Sequence, residues 1–157
     1  MTQEQVTVDS PIGKITGKFC DGVLCELKVA KSQNSKKTTA KLSSHPLTNQ
    51  LAAYFKNSQT RFSIPFQLEG TDFQKRVWAA LCKIPVGKTL SYGQLAEKLN
   101  SSPRAIGNAC RHNPIPIIVP CHRVTAKNGI GGYDGKTSGK RLTIKRWLLE
   151  HEGVVIN

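Results

Sequence analysis

Between Asn113 and Val124 the chain reads Asn-Pro-Ile-Pro-Ile-Ile-Val-Pro-Cys-His-Arg-Val. Pro114, Pro116 and Pro120 fall within seven residues. Each proline locks φ and removes an N–H, so no helix can run through this stretch. What remains is a rigid apolar segment that presents one thiol, Cys121, with His122 directly after it. The spacing predicts a last helix over Leu142–His151, with Gly153 as its end signal. Glu152 sits at that end and can reach back to an imidazole. Thiol, imidazole and carboxylate have the logic of an activated nucleophile: thiolate, base, and a group that orients the base.

The other cysteines and histidines have plainer structural explanations. A cysteine is more often a small buried apolar group than a nucleophile, and that reading holds for Cys20, Cys25, Cys82 and Cys110. Cys20 and Cys25 offer half a zinc site, but a structural site wants four ligands and no second Cys/His pair lies near in sequence. His45 and His112 read as surface or capping residues. His151 is a helix-end residue, favourable there with the dipole.

Residues 1–67 read as a small α/β unit. Val6–Val8 is a short strand, Ser10–Gly13 a turn, and Lys14–Phe19 and Val23–Val29 are strands around a turn at Asp21-Gly22. Lys31–Lys41 is polar with no apolar period and reads as a solvated loop. Pro46 opens a helix whose Leu47, Leu51, Tyr54 and Phe55 share one face. Phe62–Leu68 is a further strand candidate.

Residues 68–157 read differently. Thr71 with Gln74 fits a capping box, and the helix that follows turns Phe73, Val77, Trp78 and Leu81 inward before Pro85. Ser91 with Gln94 fits a second box and a helix through Leu99. Asn100-Ser101-Ser102 is a tight turn, and Pro103 starts a helix to about His112. Helix, short turn, helix is the pattern of a DNA-reading motif and equally of two helices packed in a bundle. The second helix carries small residues, Ala105, Gly107 and Ala109, flanked by Arg104 and Arg111. Small residues permit close approach to another surface, and arginines beside them suit phosphates or bases.

The chain has 157 residues, 23 Lys/Arg and 10 Asp/Glu, a net charge of +13. Such an excess points to a polyanionic partner, with nucleic acid first, or to a surface made soluble by charge. Residues 1–67 hold nine basic and four acidic residues, and residues 68–157 hold fourteen and six, so the charge is no mere tail. No apolar run reaches the roughly 20 residues of a bilayer span. The polar start has no signal-peptide pattern, and five cysteines are an odd number. These features lead to the expectation of reduced thiols in a cytoplasmic protein.

Pro120-Cys121-His122-Arg123-Val124 resembles the active-site motif of the O6-alkylguanine-DNA alkyltransferases. Ser91-Tyr92-Gly93-Gln94-Leu95-Ala96, Arg104-Ala105-Ile106-Gly107, Asn113-Pro114 and Leu148–Gly153 extend the resemblance in the same order, and Ser10–Gly13 matches more weakly. The resemblance implies an α+β fold. A strand-rich, ribonuclease-H-like α/β subdomain (1–67) would support a mainly helical DNA-binding and alkyl-acceptor subdomain with a winged helix-turn-helix (68–157).

It also implies the chemistry. Cys121 takes the alkyl group from O6 of guanine, and by extension O4 of thymine, once and irreversibly. His122 acts as base through a water, Glu152 orients it, Arg123 pairs within the fold, and Asn113 ties the helices to the cysteine segment. Arg104 fills the gap of a base flipped from duplex DNA approached through the minor groove, with Ala105 and Gly107 at close approach. Tyr92 stands beside the flipped nucleotide. Arg111, Lys127 and Asn128 suit phosphates, though the last two equally suit a solvated loop. Val124, Tyr133 and Pro116 line the substrate pocket. No cofactor or metal is implied, and the partner is DNA carrying alkylated guanine, bound by a monomer.

The segment Gly129–Lys140 departs from the family spacing. It is short before Gly132-Tyr133 and longer over Asp134–Gly139. Three rivals follow from the residues: a lesion sensor without transfer, a major-groove transcription factor, and a Cys-His hydrolase. Cys121, the small-residue helix, and the adjacency of Cys and His weigh against them in turn.

Overall fold

The computed structural model describes residues 3–30, 45–127, 129–131 and 140–156, with side chains from 142 onward in the last stretch. The Lys31–Lys41 loop, Asn128, Tyr133 and Asp134–Gly139 lie outside these residues. The chain divides into two compact units, Met1–Glu69 and Gly70–Asn157. The fold mixes helix and sheet, with the longer strands all in the first unit.

In the first unit, β1 (Gln3–Ser10), β2 (Gly13–Cys20) and β3 (Val23–Val29) form an antiparallel meander. Asp21 and Gly22 both take positive φ, 53° and 82°, as a two-residue type I′ hairpin turn requires. The register then sets Cys20 against Val23 and Phe19 against Leu24, so Phe19 and Leu24 share the inner face. Helix α1 (Pro46–Lys56) is capped by His45, whose Nδ1 accepts from the Leu47 N–H at 3.1 Å. Leu47, Leu51 and Tyr54 are buried, as are Ile15, Phe19, Leu24 and Leu27 of the sheet.

Phe62–Leu68 is not a strand. Only Phe66 bridges Leu24, with the Leu24 N–H donating to Pro65 O at 3.0 Å and the Gln67 N–H to Leu24 O at 2.9 Å. Pro65 has no N–H to extend the ladder, so apolar alternation here does not become strand pairing.

The second unit opens with α2 (Asp72–Leu81), whose Thr71–Gln74 capping box is formed in both directions. The Trp78 indole N–H donates to Ala109 O at 2.9 Å and ties α2 to α4. Two residues, β4 (Leu90–Ser91), lead into α3 (Tyr92–Lys98), which also has a complete capping box, Ser91–Gln94. Helix α4 (Pro103–Arg111) follows, with the Ser102 side chain accepting from the Ala105 N–H. After a 3-10 turn at Cys121–Arg123 comes β5 (Val124–Thr125), parallel to β4, and finally α5 (Lys140–His151). Gly153 leaves that helix at φ 87°, the left-handed turn that glycine adopts without strain.

Candidate active site

The cysteine segment is held by side-chain to backbone bonds. The Asn113 amide donates to Val119 O at 2.8 Å, and its oxygen accepts from the Ile115 N–H at 2.9 Å. The Val119 N–H returns to Ile115 O at 2.9 Å. Inside this loop Ile117 sits at φ 75°, a costly conformation for a β-branched residue, about 1–3 kcal/mol. Asn113 and the flanking prolines hold it there. The Cys121 N–H donates to Val119 O at 2.8 Å and the Arg123 N–H to Pro120 O at 3.0 Å, which turns the chain so that Cys121, His122 and Arg123 are all buried. Val124 and Thr125 then pair with Leu90 and Ser91, which stitches the motif to the start of α3.

Behind Cys121 lies a chain of buried charge. His122 Nε2 stands 2.8 Å from Glu152 Oε2, and both side chains are fully buried. Arg123 donates through Nε to Glu152 Oε1 at 2.8 Å and through Nη2 to Oε2 at 3.1 Å. Its Nη1 donates to Ile84 O. Every oxygen of the carboxylate is therefore used. Burial lowers the His122 pKa below its ordinary value, against the upward pull of Glu152, and Arg123 and Lys145 add to the lowering. A neutral imidazole facing a carboxylate must carry its proton on Nε2. Nδ1 then keeps a lone pair, and it is buried with no hydrogen-bond partner among the described residues.

Lys145 was not among the sequence candidates. It is fully buried, donates to Val124 O at 2.6 Å, and stands 3.4 Å from the Tyr92 hydroxyl and 5.5 Å from that ring's centre. Burial brings its pKa down to about 8, with Cys121 and Cys110 pulling the other way. Burial also raises Tyr92 above the ordinary tyrosine range, with Cys110 and Cys121 adding to it, so the phenol keeps its proton. Cys110 is raised as well, by burial and then by Cys121. The signal for Lys145 was legible: Ile144, Lys145, Leu148 and Leu149 share one face of α5, in step with Glu152 just past its end. A lysine in an apolar stripe usually reads as a solvated flank, and that reading fails here.

The other sequence candidates among the described residues fall into three sets. Asn113, Tyr92, Val124 and Pro116 belong to the buried or half-buried neighbourhood of the motif, with Pro116 bridging Val119. Arg104, Arg111 and Lys127 are exposed. Ala105 and Gly107 are half-buried on α4. A Cβ built on Gly107 would meet only Tyr92 Cε1, at 3.9 Å, so internal packing does not demand glycine there.

Comparison with known proteins assigns the family. Residues 72–154 match the 6-O-methylguanine DNA methyltransferase, DNA binding domain, family. The methylated-DNA–protein-cysteine methyltransferase of Mycobacterium tuberculosis is 41% identical over 147 residues, which is 88% of each chain. That of Archaeoglobus fulgidus is 40% identical over 130 residues, 81% of this chain and 87% of its own. The structure of Mycobacterium tuberculosis OGT in complex with DNA aligns with a TM-score of 0.80 at 40% identity, covering 95% of this chain and 92% of that one. An O6-methylguanine DNA methyltransferase from Methanococcus jannaschii aligns with a TM-score of 0.67 at 31% identity, covering 97% and 95%. With this extent of match, and the motif built around Cys121 as described, the chain belongs to the methylated-DNA–protein-cysteine methyltransferase family.

Proposed function

We propose that this protein repairs alkylated DNA by moving the alkyl group from O6 of guanine to Cys121, once per molecule. The observation that carries the reading is the buried sequence Cys121, His122, Glu152 with Nδ1 of His122 left as a bare acceptor. Neutral His122 takes the thiol proton through a water, and Glu152 holds the ring and stabilises the imidazolium. The thiolate attacks the alkyl carbon. A C–S bond forms as the C–O bond breaks, and the electron pair departs with the guanine. Tyr92, kept protonated by burial, is the donor that meets the charge on the departing base. Lys145 positions that phenol and pins the Val124 carbonyl. The product is a thioether, which water does not cleave, so the chemistry ends there.

The relatives' DNA complex supports DNA as the partner. A base inside a duplex must leave the stack to reach a buried thiol. Arg104, exposed on the first turn of α4, fills the vacated position from the minor groove, and the open space at Gly107 suits close approach by DNA. Arg111 and Lys127 contact phosphates. Val124 and Pro116 line the pocket, and O4-methylthymine is a further substrate. Residues 68–157 act as a winged helix-turn-helix acceptor unit, residues 1–67 as a ribonuclease-H-like support, and the protein works in the cytoplasm as a monomer. No helix among the described residues is long and apolar enough to cross a membrane.

The test is intact and peptide mass after mixing with a duplex holding one O6-methylguanine. A gain of one methylene on the Cys121 peptide, saturating at one equivalent and absent in Cys121→Ser, is the expected result. Lesion-selective binding without any mass gain would leave a sensor, and methylation of another cysteine would reassign the acceptor.

A further inference from the structure

Cys20 and Cys25 play no part in that reaction, and they lie in the first unit. Their sulfurs stand 3.1 Å apart, and Cys25 Sγ donates to Lys18 O at 3.3 Å. Both side chains are half-buried, on the sheet face opposite Phe19 and Leu24. The contact is unusual for its position. Cys20 pairs with Val23, so Cys25 is its diagonal neighbour across the hairpin. Diagonal neighbours lie about 7–8 Å apart, beyond the usual span of a disulfide. Here the register shifts between Lys18 and Phe19: Lys18 pairs with Glu26 and Phe19 with Leu24, which leaves Cys25 as the extra residue of a β-bulge. A bulge bends the strand and increases its twist, which closes the diagonal. The thiol–thiol contact and burial both hold Cys25 in its protonated form.

We infer that Cys20 and Cys25 form an oxidisable dithiol, a modification site whose reactant is a hydroperoxide. The steps balance. One thiolate attacks the peroxide, giving a sulfenic acid and water (or alcohol). The second thiol displaces hydroxide as water and closes the S–S bond. Two thiols are oxidised by two electrons, the O–O bond is reduced, and no other co-reactant is required. The type I′ turn and the bulge bring the two sulfurs to 3.1 Å, so ring closure has to shorten that separation by only about 1 Å. Cys121 is almost wholly buried at 7% exposure, and the exposed Cys82 has no thiol in contact among the described residues, so the pair closes a disulfide before the acceptor is oxidised. A soft or zinc ion is the less favoured occupant: no group of three or more His, Cys, Asp or Glu able to hold a metal occurs among the described residues.

The test treats the full-length protein with substoichiometric hydrogen peroxide, then blocks thiols and maps peptides without reduction. The expected product is a Cys20–Cys25 linkage, lighter by two hydrogens and restored by a dithiol reductant. It should form on the order of tenfold faster than the Cys121 thiol is lost. Cys20→Ser and Cys25→Ala should each abolish the linkage yet still accept one methyl group when reduced, which also certifies their folding. Irreversible oxidation at either single cysteine, first loss of Cys121, or one equivalent of zinc retained by the pair would overturn the inference.

Discussion

The two units bury different things. In the first, Val8, Ile15, Phe19, Leu24, Leu27, Leu47 and Leu51 make an apolar core, and Thr48 is the only buried polar residue among those described. In the second, His122, Arg123, Lys145 and Glu152 are all buried alongside Trp78, Ile106, Leu148 and Leu149. An apolar core gains stability from nearly every contact. A buried charge costs desolvation and is tolerated only when each donor and acceptor is paired. The second unit carries that cost where a thiol, a neutral imidazole and a protonated phenol meet. The difference marks which unit is built for chemistry without reference to any relative.

The strongest test of this contrast is Glu152→Gln. It leaves the Arg123 guanidinium buried without its anion and frees the His122 ring. The expected loss is about 3–5 kcal/mol in denaturant unfolding, together with loss of single-turnover methyl transfer at temperatures where the variant stays folded. Leu27→Ala in the first unit should cost about 2–5 kcal/mol and leave the transfer rate of the folded fraction unchanged. Equal rates for Glu152→Gln and the parent would break the comparison.

The pH dependence of stability should come from the second unit. His122 is held neutral in the fold, so the unfolded chain binds more protons as pH drops below about 6.5. Stability falls there, and the transfer rate falls with it as the base is protonated. Lys145 has its pKa at about 8 against 10.5 unfolded, so its contribution rises from pH about 8 to 10.5. That difference amounts to about 3 kcal/mol at most. Thermal unfolding of the parent and Lys145→Met across this range measures it; parallel curves would show that Lys145 does not titrate as described.

Arg104→Ala removes an exposed charge and should leave stability within about 0.5 kcal/mol. DNA affinity should weaken and transfer from duplex DNA should slow, whereas Arg111→Ala should shrink the slope of log K against log salt by about one. The smallest effect is expected in the first core. Thr48 Oγ1 is buried with no partner, so Thr48→Val should stabilise the protein by about 1 kcal/mol. A loss there would mean that the hydroxyl matters to the unit.

How much was legible follows from which interactions are local. Thr71 with Gln74, and Ser91 with Gln94, announce their helices because a capping box closes within four residues. Asp21-Gly22 announces its hairpin for the same reason. Phe62–Leu68 misleads because alternation records a face but not a pairing partner, and Pro65 withholds the N–H a ladder needs. β4 and β5 are two residues each, too short for any period, yet they join the cysteine motif to α3.

For the site, the sequence alone determined the candidate thiol, its adjacent imidazole and the proline frame around them, because these are neighbours in the chain. Glu152 was legible as a carboxylate at a helix end that can reach back to an imidazole, and the resemblance to a family gave it the same role. Only the tertiary structure decided that Glu152 serves His122 and Arg123 together, that Ile84 O holds the guanidinium, and that Lys145 turns inward to Tyr92 and Val124. Those contacts join residues 21 to 53 positions apart, and what selects them is the need of a buried charge for a partner. That need exists only once the core has closed.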